Sequence, residues 1–167
     1  MAHKQEYPPL LPQGFHHFSI QQLKDLCVAG FPLSESRADI MAAFEVIYEH
    51  ALGIRINGEF WIDGSFLTRK IEPGDVDLIL VTPARFYDDG TQEQQKFLDW
   101  LINTEDDPRK SFRCHTDIVL AYDPDHAEYG RYRDIANHWQ NNVYGYSVTT
   151  REPKGIVVVS LTGDEAV

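Results

Sequence analysis

The chain has 167 residues, of which 43% are apolar and 25% charged, and its formal net charge at pH 7 is −11. The length suits one domain with a core of its own, so we predict a single domain over residues 1–167. No apolar run approaches the roughly 20 residues that a membrane-spanning helix needs. An acidic chain repels nucleic acid over most of its surface, so any nucleic-acid contact would require a local basic patch.

Two further features indicate a cytoplasmic protein with no membrane partner. The first residues, MAHKQEYPPL, lack the apolar core of a secretory signal. The two cysteines, Cys27 and Cys114, stand at no motif spacing, which is typical of a reducing compartment and of a chain without a disulfide framework.

The first part of the chain predicts two helices. Residues 1–18 contain three prolines within YPPLLPQGFHHF and are expected to form an extended lead-in. Ser19 and Gln22 have the spacing of a capping box, and Gly30 ends the helix that follows. A longer helix, capped by Ser34 or Ser36, has an apolar stripe of period 3.6 at Ile40, Phe44, Ile47 and Ala51.

The rest of the chain alternates strands and helices. A capping box at 91–94 starts one helix, and residues 125–128 are expected to cap another. The predicted strands cover residues 59–62, 76–81, 116–122, 144–149 and 156–161. Because the segment REPKG between the last two is typical of a turn, we expect them to form a hairpin. This order predicts an α+β fold with a mixed sheet and helices mainly on one face.

One stretch, DGSFLTRKIEPGDVDLIL at residues 63–80, concentrates the polar groups. Asp75 and Asp77 are two residues apart, so both point to one face of a strand, where like charges repel unless a cation lies between them. Asp117 lies inside a later apolar strand. Three carboxylates on neighbouring strands can hold two divalent cations, and oxygen ligands favour Mg²⁺ or Mn²⁺ over zinc. A solvated strand edge is the alternative interpretation of Asp75 and Asp77.

A Gly-Ser pair precedes these acids. Gly64 and Ser65 follow a predicted strand, and glycine lets the backbone approach a ligand closely, so that free N–H groups and the serine hydroxyl can hold a phosphate. Phosphate and metal sites together are the equipment of phosphoryl or nucleotidyl transfer.

An apolar strand, Gly-Ser, a gap of about ten residues, Asp-Val-Asp-Leu and a later strand aspartate together resemble the nucleotidyltransferase superfamily of DNA polymerase β. More narrowly, the chain resembles the small minimal nucleotidyltransferases of bacteria, in an uncharacterised branch that carries FWIDGSFLT, PGDVDL and PKGI. The resemblance implies a nucleotidyltransferase-like fold. It also implies that Gly64 and Ser65 hold the triphosphate, that Asp75 and Asp77 ligate Mg²⁺ or Mn²⁺, and that Asp117 completes the metal site and helps to deprotonate the acceptor.

The chain departs from that family at two positions. Many minimal members carry arginine three residues after the serine, whereas this chain has Thr68 there, with Arg69 and Lys70 just beyond. We assign Arg69 and Lys70 to nucleotide binding. The residue before the glycine is usually apolar in the family; here it is Asp63, which adds a negative group near the metals.

The sequence therefore predicts an enzyme that moves an NMP from an NTP to a protein, RNA or small-molecule acceptor. Relatives often occur in toxin–antitoxin or phage-defence pairs, which implies a cognate toxin or antitoxin partner. The alternative is a non-catalytic protein of the same fold that acts as an antitoxin or nucleotide-binding partner. Metal-dependent phosphohydrolysis ranks third, because His-Asp clusters are missing from the sequence.

Four other polar residues receive simpler interpretations. Lys110 and Arg113 are expected to be solvated loop charges, and Lys154, before Gly155, is expected to be a turn residue. His115 shares the strand face of Asp117, which allows a role beside the metals.

Overall fold

The computed structural model describes residues 5–103, 112–147 and 149–162. Its centre is a mixed five-stranded sheet with the order β1-β5-β2-β3-β4. The strands are β1 (Gly14–His17), β2 (Gly58–Asp63), β3 (Val76–Pro83), β4 (Cys114–Ala121) and β5 (Gly155–Leu161). β2 pairs antiparallel with β3 and β5, whereas β1 pairs parallel with β5 and β4 parallel with β3. The α+β class expected from the sequence is confirmed.

One face of the sheet carries the main core. It is covered by helices α1 (Ile20–Lys24), α2 (Arg37–Gly53) and α4 (Gln92–Ile102), with the short α3 (Arg85–Asp88) at its margin. The predicted stripe of α2 is buried, together with the alternate strand residues that face it: Ile40, Phe44, Ile47, Ala51, Phe60, Ile62, Leu78 and Leu80. Three of the helices therefore lie on one face, as predicted.

The opposite face is covered by α5 (Tyr129–His138) and by a π-helical turn (Trp139–Tyr144) that continues it. Tyr132, Ala136, Trp139 and Tyr144 from this segment pack on Trp61, Ile79, Val81 and Val158. The candidate functional residues lie at one end of this second face.

The helix starts follow the sequence signals. Both capping boxes form, with the Ser19 hydroxyl accepting from the Gln22 amide and the Thr91 hydroxyl from the Gln94 amide. A π-helical turn (Asp25–Ala29) extends α1 to Gly30, which is the predicted end. The Ser34 hydroxyl accepts a hydrogen bond from the Arg37 amide at the start of α2.

Three local predictions were wrong. The lead-in is not merely extended, because Gly14–His17 adds a parallel strand to β5. The described residues of the range 144–149 form no strand that pairs with 156–161: β1 and β2 occupy both edges of β5, and Tyr144 ends the π-helical turn. The described residues between them form a narrow loop with a single bridge from Tyr146 to Pro153.

The fourth helix also starts later than predicted. It begins at Tyr129 rather than at residues 125–128. The Glu128 amide donates to the His126 ring, and that ring stacks on Tyr122 at 4.6 Å between centroids. These local contacts hold the segment after β4 in turns before the helix starts.

Candidate functional site

Strands β2, β3 and β4 bring acidic side chains together at one end of the second sheet face. Asp63 is directly opposite Asp77 on β3, and Asp77 is opposite His115 on β4. Asp117 lies two residues further along β4, and side chains two residues apart on a strand share a face. The His115 Nδ1 is 3.3 Å from the Asp77 Oδ1. Asp63, Asp77 and Asp117 are called the carboxylate cluster below.

A glycine is required where β2 ends. Gly64 has φ +88° and ψ −168°, a conformation that is almost exclusive to glycine. A Cβ atom placed on it would be 2.8 Å from the Asp77 Oδ2, so the Asp77 carboxylate lies directly against the Gly64 backbone. The chain then turns through a single 3₁₀ turn, Ser65–Leu67. The glycine of the Gly-Ser pair therefore lies against one of the predicted metal ligands.

A buried ion pair adjoins this turn. The Lys154 Nζ is 3.1 Å from the Asp63 Oδ2, and the two side chains are only 12% and 2% exposed. Burial raises the pKa of Asp63 to about 8 although Lys154 opposes the shift, and the charge of Asp77 adds to the increase. The Gly64 backbone N–H is close enough to lower the pKa of Asp63, but the other oxygen, Oδ1, is buried and no described residue makes a well-aligned hydrogen bond to it. Asp63, which is directly opposite Asp77, thus has one oxygen on a lysine and one without a partner among the described residues.

Tyr144 packs over the same cluster. It is buried, and its pKa lies well above the usual range because burial disfavours the phenolate and because Asp77, Asp63 and Asp117 add negative charge around it. Tyr144 therefore stays protonated, and the three acids that raise its pKa are the members of the carboxylate cluster.

The loop after Ser65 is held by one arginine. Arg37, at the start of α2, is fully buried, and its guanidinium lies 3.7 Å from the centroid of the Phe31 ring. Its guanidinium donates hydrogen bonds of 2.6–3.1 Å to four backbone carbonyls near the start of α2. These carbonyls belong to Cys27, Phe66, Thr68 and Lys70. Arg37 therefore fixes the chain that leads away from the Gly-Ser pair.

The structure brings together some of the predicted site residues. Asp77, Asp117, Gly64 and Ser65 lie at one end of the sheet. Asp75 lies just before β3. Its charge, together with burial, raises the pKa of Cys114, and Asp75 is not one of the acids that act on Tyr144.

The predicted nucleotide-binding cations lie apart from the cluster. The Lys70 Nζ is 5.9 Å from the centroid of the Tyr7 ring, and Arg69 is exposed. Within the described residues, neither makes an ion pair with Asp63, Asp77 or Asp117. Lys110 falls outside the described residues.

Lys154 was expected to be a turn residue only, but its side chain is buried against Asp63, so its place in the site was missed. Its partner Asp63 is far earlier in the chain, so sequence spacing gave no signal for the contact. Arg37 was missed as well, although a signal existed: it lies three residues before Ile40, on the apolar stripe of α2.

The carboxylate cluster has the chemistry to hold a hard divalent cation. Its donors are carboxylate oxygens, and the Asp63 Oδ1 is a buried oxygen in need of a partner. In the part of the chain that the structure describes, no group of three or more His, Cys, Asp or Glu is already arranged as a metal site. The donor atoms therefore suit such an ion chemically. The side chains would have to move closer together to hold it.

A cleft opens further along the same face, between the sheet and α5. It has a volume of about 330 Å³. Aromatic and amide side chains line it, among them Phe15, Trp61, Tyr129, Tyr132, Asn137 and Gln140. Aromatic faces with amide groups at their edge suit a planar heterocycle, which they can stack on and hydrogen-bond.

The fold and the site define an α+β protein with an acidic cluster at one end of a mixed sheet, beside a glycine turn. The chain belongs to the family described as "Family of unknown function (DUF6932)", whose model matches residues 3–160. No curated protein and no solved structure matches it. None of the described helices combines the length and the apolar character needed to cross a membrane.

Proposed function

We propose that the chain is a metal-dependent nucleotidyltransferase that moves an NMP from an NTP to an acceptor. The observation that carries the proposal is the contact of Asp77 with Gly64, which puts a carboxylate against the backbone of a turn suited to phosphate. Asp117, on the adjacent strand and the same face, supplies a second acid. The resemblance of the sequence to minimal nucleotidyltransferases supports the same activity.

In this proposal each residue has a defined task. The Gly64 backbone and the Ser65 hydroxyl hold the terminal phosphates, with Arg69 and Lys70 as further nucleotide contacts. Asp77 and Asp117 would hold Mg²⁺ or Mn²⁺ together with Asp63, which is opposite Asp77, and with Asp75 once it turns toward them from its place just before β3. Asp117 would also accept the proton of the acceptor hydroxyl. When bound, the ions would neutralise the triphosphate and stabilise the leaving pyrophosphate.

The proposed substrates fit the second face of the sheet. The aromatic cleft lies on the side of the sheet that carries the carboxylate cluster, because Trp61 and Asp63 share one face of β2. We assign the cleft to the nucleobase or to a planar part of the acceptor. The acceptor itself is a protein hydroxyl, an RNA end or a small molecule. The proposed setting is the cytoplasm, with a cognate toxin or antitoxin as partner.

The test is transfer of label. Purified protein is incubated with each α-labelled NTP, Mg²⁺ or Mn²⁺, and host lysate, and the protein, RNA and small-molecule fractions are counted. We expect label in one fraction with the wild type and none with Asp77→Asn. Asp123→Asn, an exposed acid beyond the end of β4, is the matched control and should transfer like the wild type. Equal labelling by all three proteins would contradict the catalytic assignment.

A second candidate function is a non-catalytic protein of this fold that binds a nucleotide or a partner. The observation that favours it is the occupation of the acidic face by Tyr144 and Lys154. A binding protein would show saturable NTP binding by calorimetry but no label in any fraction, whereas the enzyme would show both.

A further inference from the structure

We propose that Lys154 is a built-in counter-ion of the carboxylate cluster, and that a divalent cation must displace its ammonium group from Asp63 to bind there. This inference rests on the proposed function, and it adds a form of regulation to the same site. The ammonium group occupies one oxygen of Asp63 and repels an incoming metal ion, so the lysine raises the metal concentration that is needed to fill the site.

The position of Lys154 supports this competition. Its Nζ is 3.1 Å from the Asp63 Oδ2, and Asp63 is directly opposite Asp77 in the sheet. In the described part of the chain, Lys154 is the only lysine or arginine that makes an ion pair with a member of the cluster. A cation at this position repels any second cation within a few ångströms, and water screens the repulsion little because both side chains are buried.

The Asp63 Oδ1 is a second and independent observation. It is buried, it belongs to a side chain only 2% exposed, and it has no hydrogen-bond partner among the described residues. Buried polar atoms are nearly always paired, so a carboxylate oxygen without a partner indicates that a ligand binds there. Lys154 does not serve as that partner, because it contacts the other oxygen. The lysine satisfies one oxygen of Asp63, so a metal ion drawn to the other oxygen meets the ammonium charge on the same carboxyl group and has to drive it away.

The released ammonium group has a place to go. Lys154 also lines a small cavity of about 140 Å³ beside β1 and the π-helical turn. Neutral polar side chains share this cavity: Gln13, Gln140, Asn141 and Tyr146. Amide and hydroxyl oxygens can accept hydrogen bonds from an ammonium group, so a rotation of the lysine side chain exchanges a carboxylate partner for neutral ones.

The test measures Mn²⁺ affinity by electron paramagnetic resonance, with no nucleotide present. The wild type is compared with Lys154→Met and Lys154→Gln. Lys24→Met is the matched control, because it removes the same charge from an ion pair with Glu45 elsewhere on the molecule. We expect both Lys154 variants to bind Mn²⁺ at least about tenfold more tightly than the wild type, and Lys24→Met to bind like the wild type. If Lys154→Met does not fold, Lys154→Gln decides.

Three results would overturn the inference. Folded Lys154 variants with wild-type or weaker Mn²⁺ affinity would show that the lysine does not compete, and label transfer by the wild type would then leave the proposed function standing. Equal tightening in Lys24→Met would show a general charge effect. A lack of Mn²⁺ binding in every variant, including those without Lys154, would remove the metal site and the inference together.

Discussion

At the scale of single residues, Gly64 is constrained in two ways. Its φ of +88° with ψ near 180° excludes other residues, and the Asp77 carboxylate occupies the space of a side chain. We expect Gly64→Ala to lower the free energy of unfolding by about 1–3 kcal/mol, the usual cost of such a backbone conformation. Urea denaturation measures this change.

Gly74 provides the control for that prediction. A Cβ atom on Gly74 would meet nothing within 4 Å. The φ angle of Gly74 lies outside the positive range that side chains avoid. Gly74→Ala should therefore leave stability unchanged or raise it slightly, because alanine restricts the unfolded chain. If the two variants unfold at the same urea concentration, the constraint at Gly64 is not real.

Asp77 is expected to exchange stability for function. Its charge adds to burial in keeping Tyr144 and Asp63 protonated, and its carboxylate contacts the His115 ring. Asp77→Asn removes this charge and keeps an oxygen for the His115 contact. We expect the variant to be at least as stable as the wild type without metal, because water screens a charge that is a third exposed and the exposed His115 contact contributes little.

The measurement is a thermal melt in chelator, run beside the label-transfer assay. Asp123→Asn again serves as the control and should melt and transfer like the wild type. A metal-free Asp77→Asn protein that melts below the wild type would show that Asp77 is structural, since a charge kept for a ligand is costly without it.

At the scale of elements, Arg37 connects α2 to the loop that follows Ser65. We expect Arg37→Met to lower the free energy of unfolding by about 3 kcal/mol or more, because several buried carbonyls lose their donor and each costs about 1–3 kcal/mol. Arg85→Met, at an exposed arginine on α3, is the matched control and should change little. Hydrogen exchange should be faster at residues 65–70 in Arg37→Met, and unchanged exchange there would disprove the role.

The sequence predicted the locally determined elements well. Capping boxes and apolar periodicity are read within a few residues, so α1, α2, α4 and strands β2 to β5 were found. β1 was missed because its partner, β5, lies at the other end of the chain. The strand assigned to residues 144–149 was wrong because Tyr144, which favours strands by propensity, is instead buried by the π-helical turn against the sheet.

The residues of the candidate site also fall into two groups, those that the sequence identified and those that only the structure identified. Gly64, Asp77 and Asp117 belong to a motif that is visible in the sequence, and the sheet brings them to one end. Lys154 and Tyr144 come from a distant segment, and only packing reveals them. Whether the site takes a metal remains a prediction, which the experiments above decide.

At the scale of the whole molecule, one buried acid should leave a mark on the pH dependence of stability. Folding raises the pKa of Asp63 from its ordinary value of 3.8 to about 8, mainly through burial. Between these values the folded chain keeps the proton that the unfolded chain has lost. Stability from this group is therefore complete below the lower value and declines as the pH rises through the interval, and it is lost above about 8.

Because histidines and other acids titrate in the same range, the informative quantity is the stability of the wild type minus that of Asp63→Asn. Asparagine does not titrate, so the difference isolates Asp63. We expect this difference to fall by at least about 1 kcal/mol between pH 5 and pH 8.5, because the wild type loses stability as folded Asp63 gives up its proton. Urea denaturation at several pH values gives the curve, and the difference between the wild type and Asp123→Asn should stay flat. A constant difference for Asp63→Asn as well would mean that Lys154 holds Asp63 ionised throughout, with the buried pair formed even in weak acid.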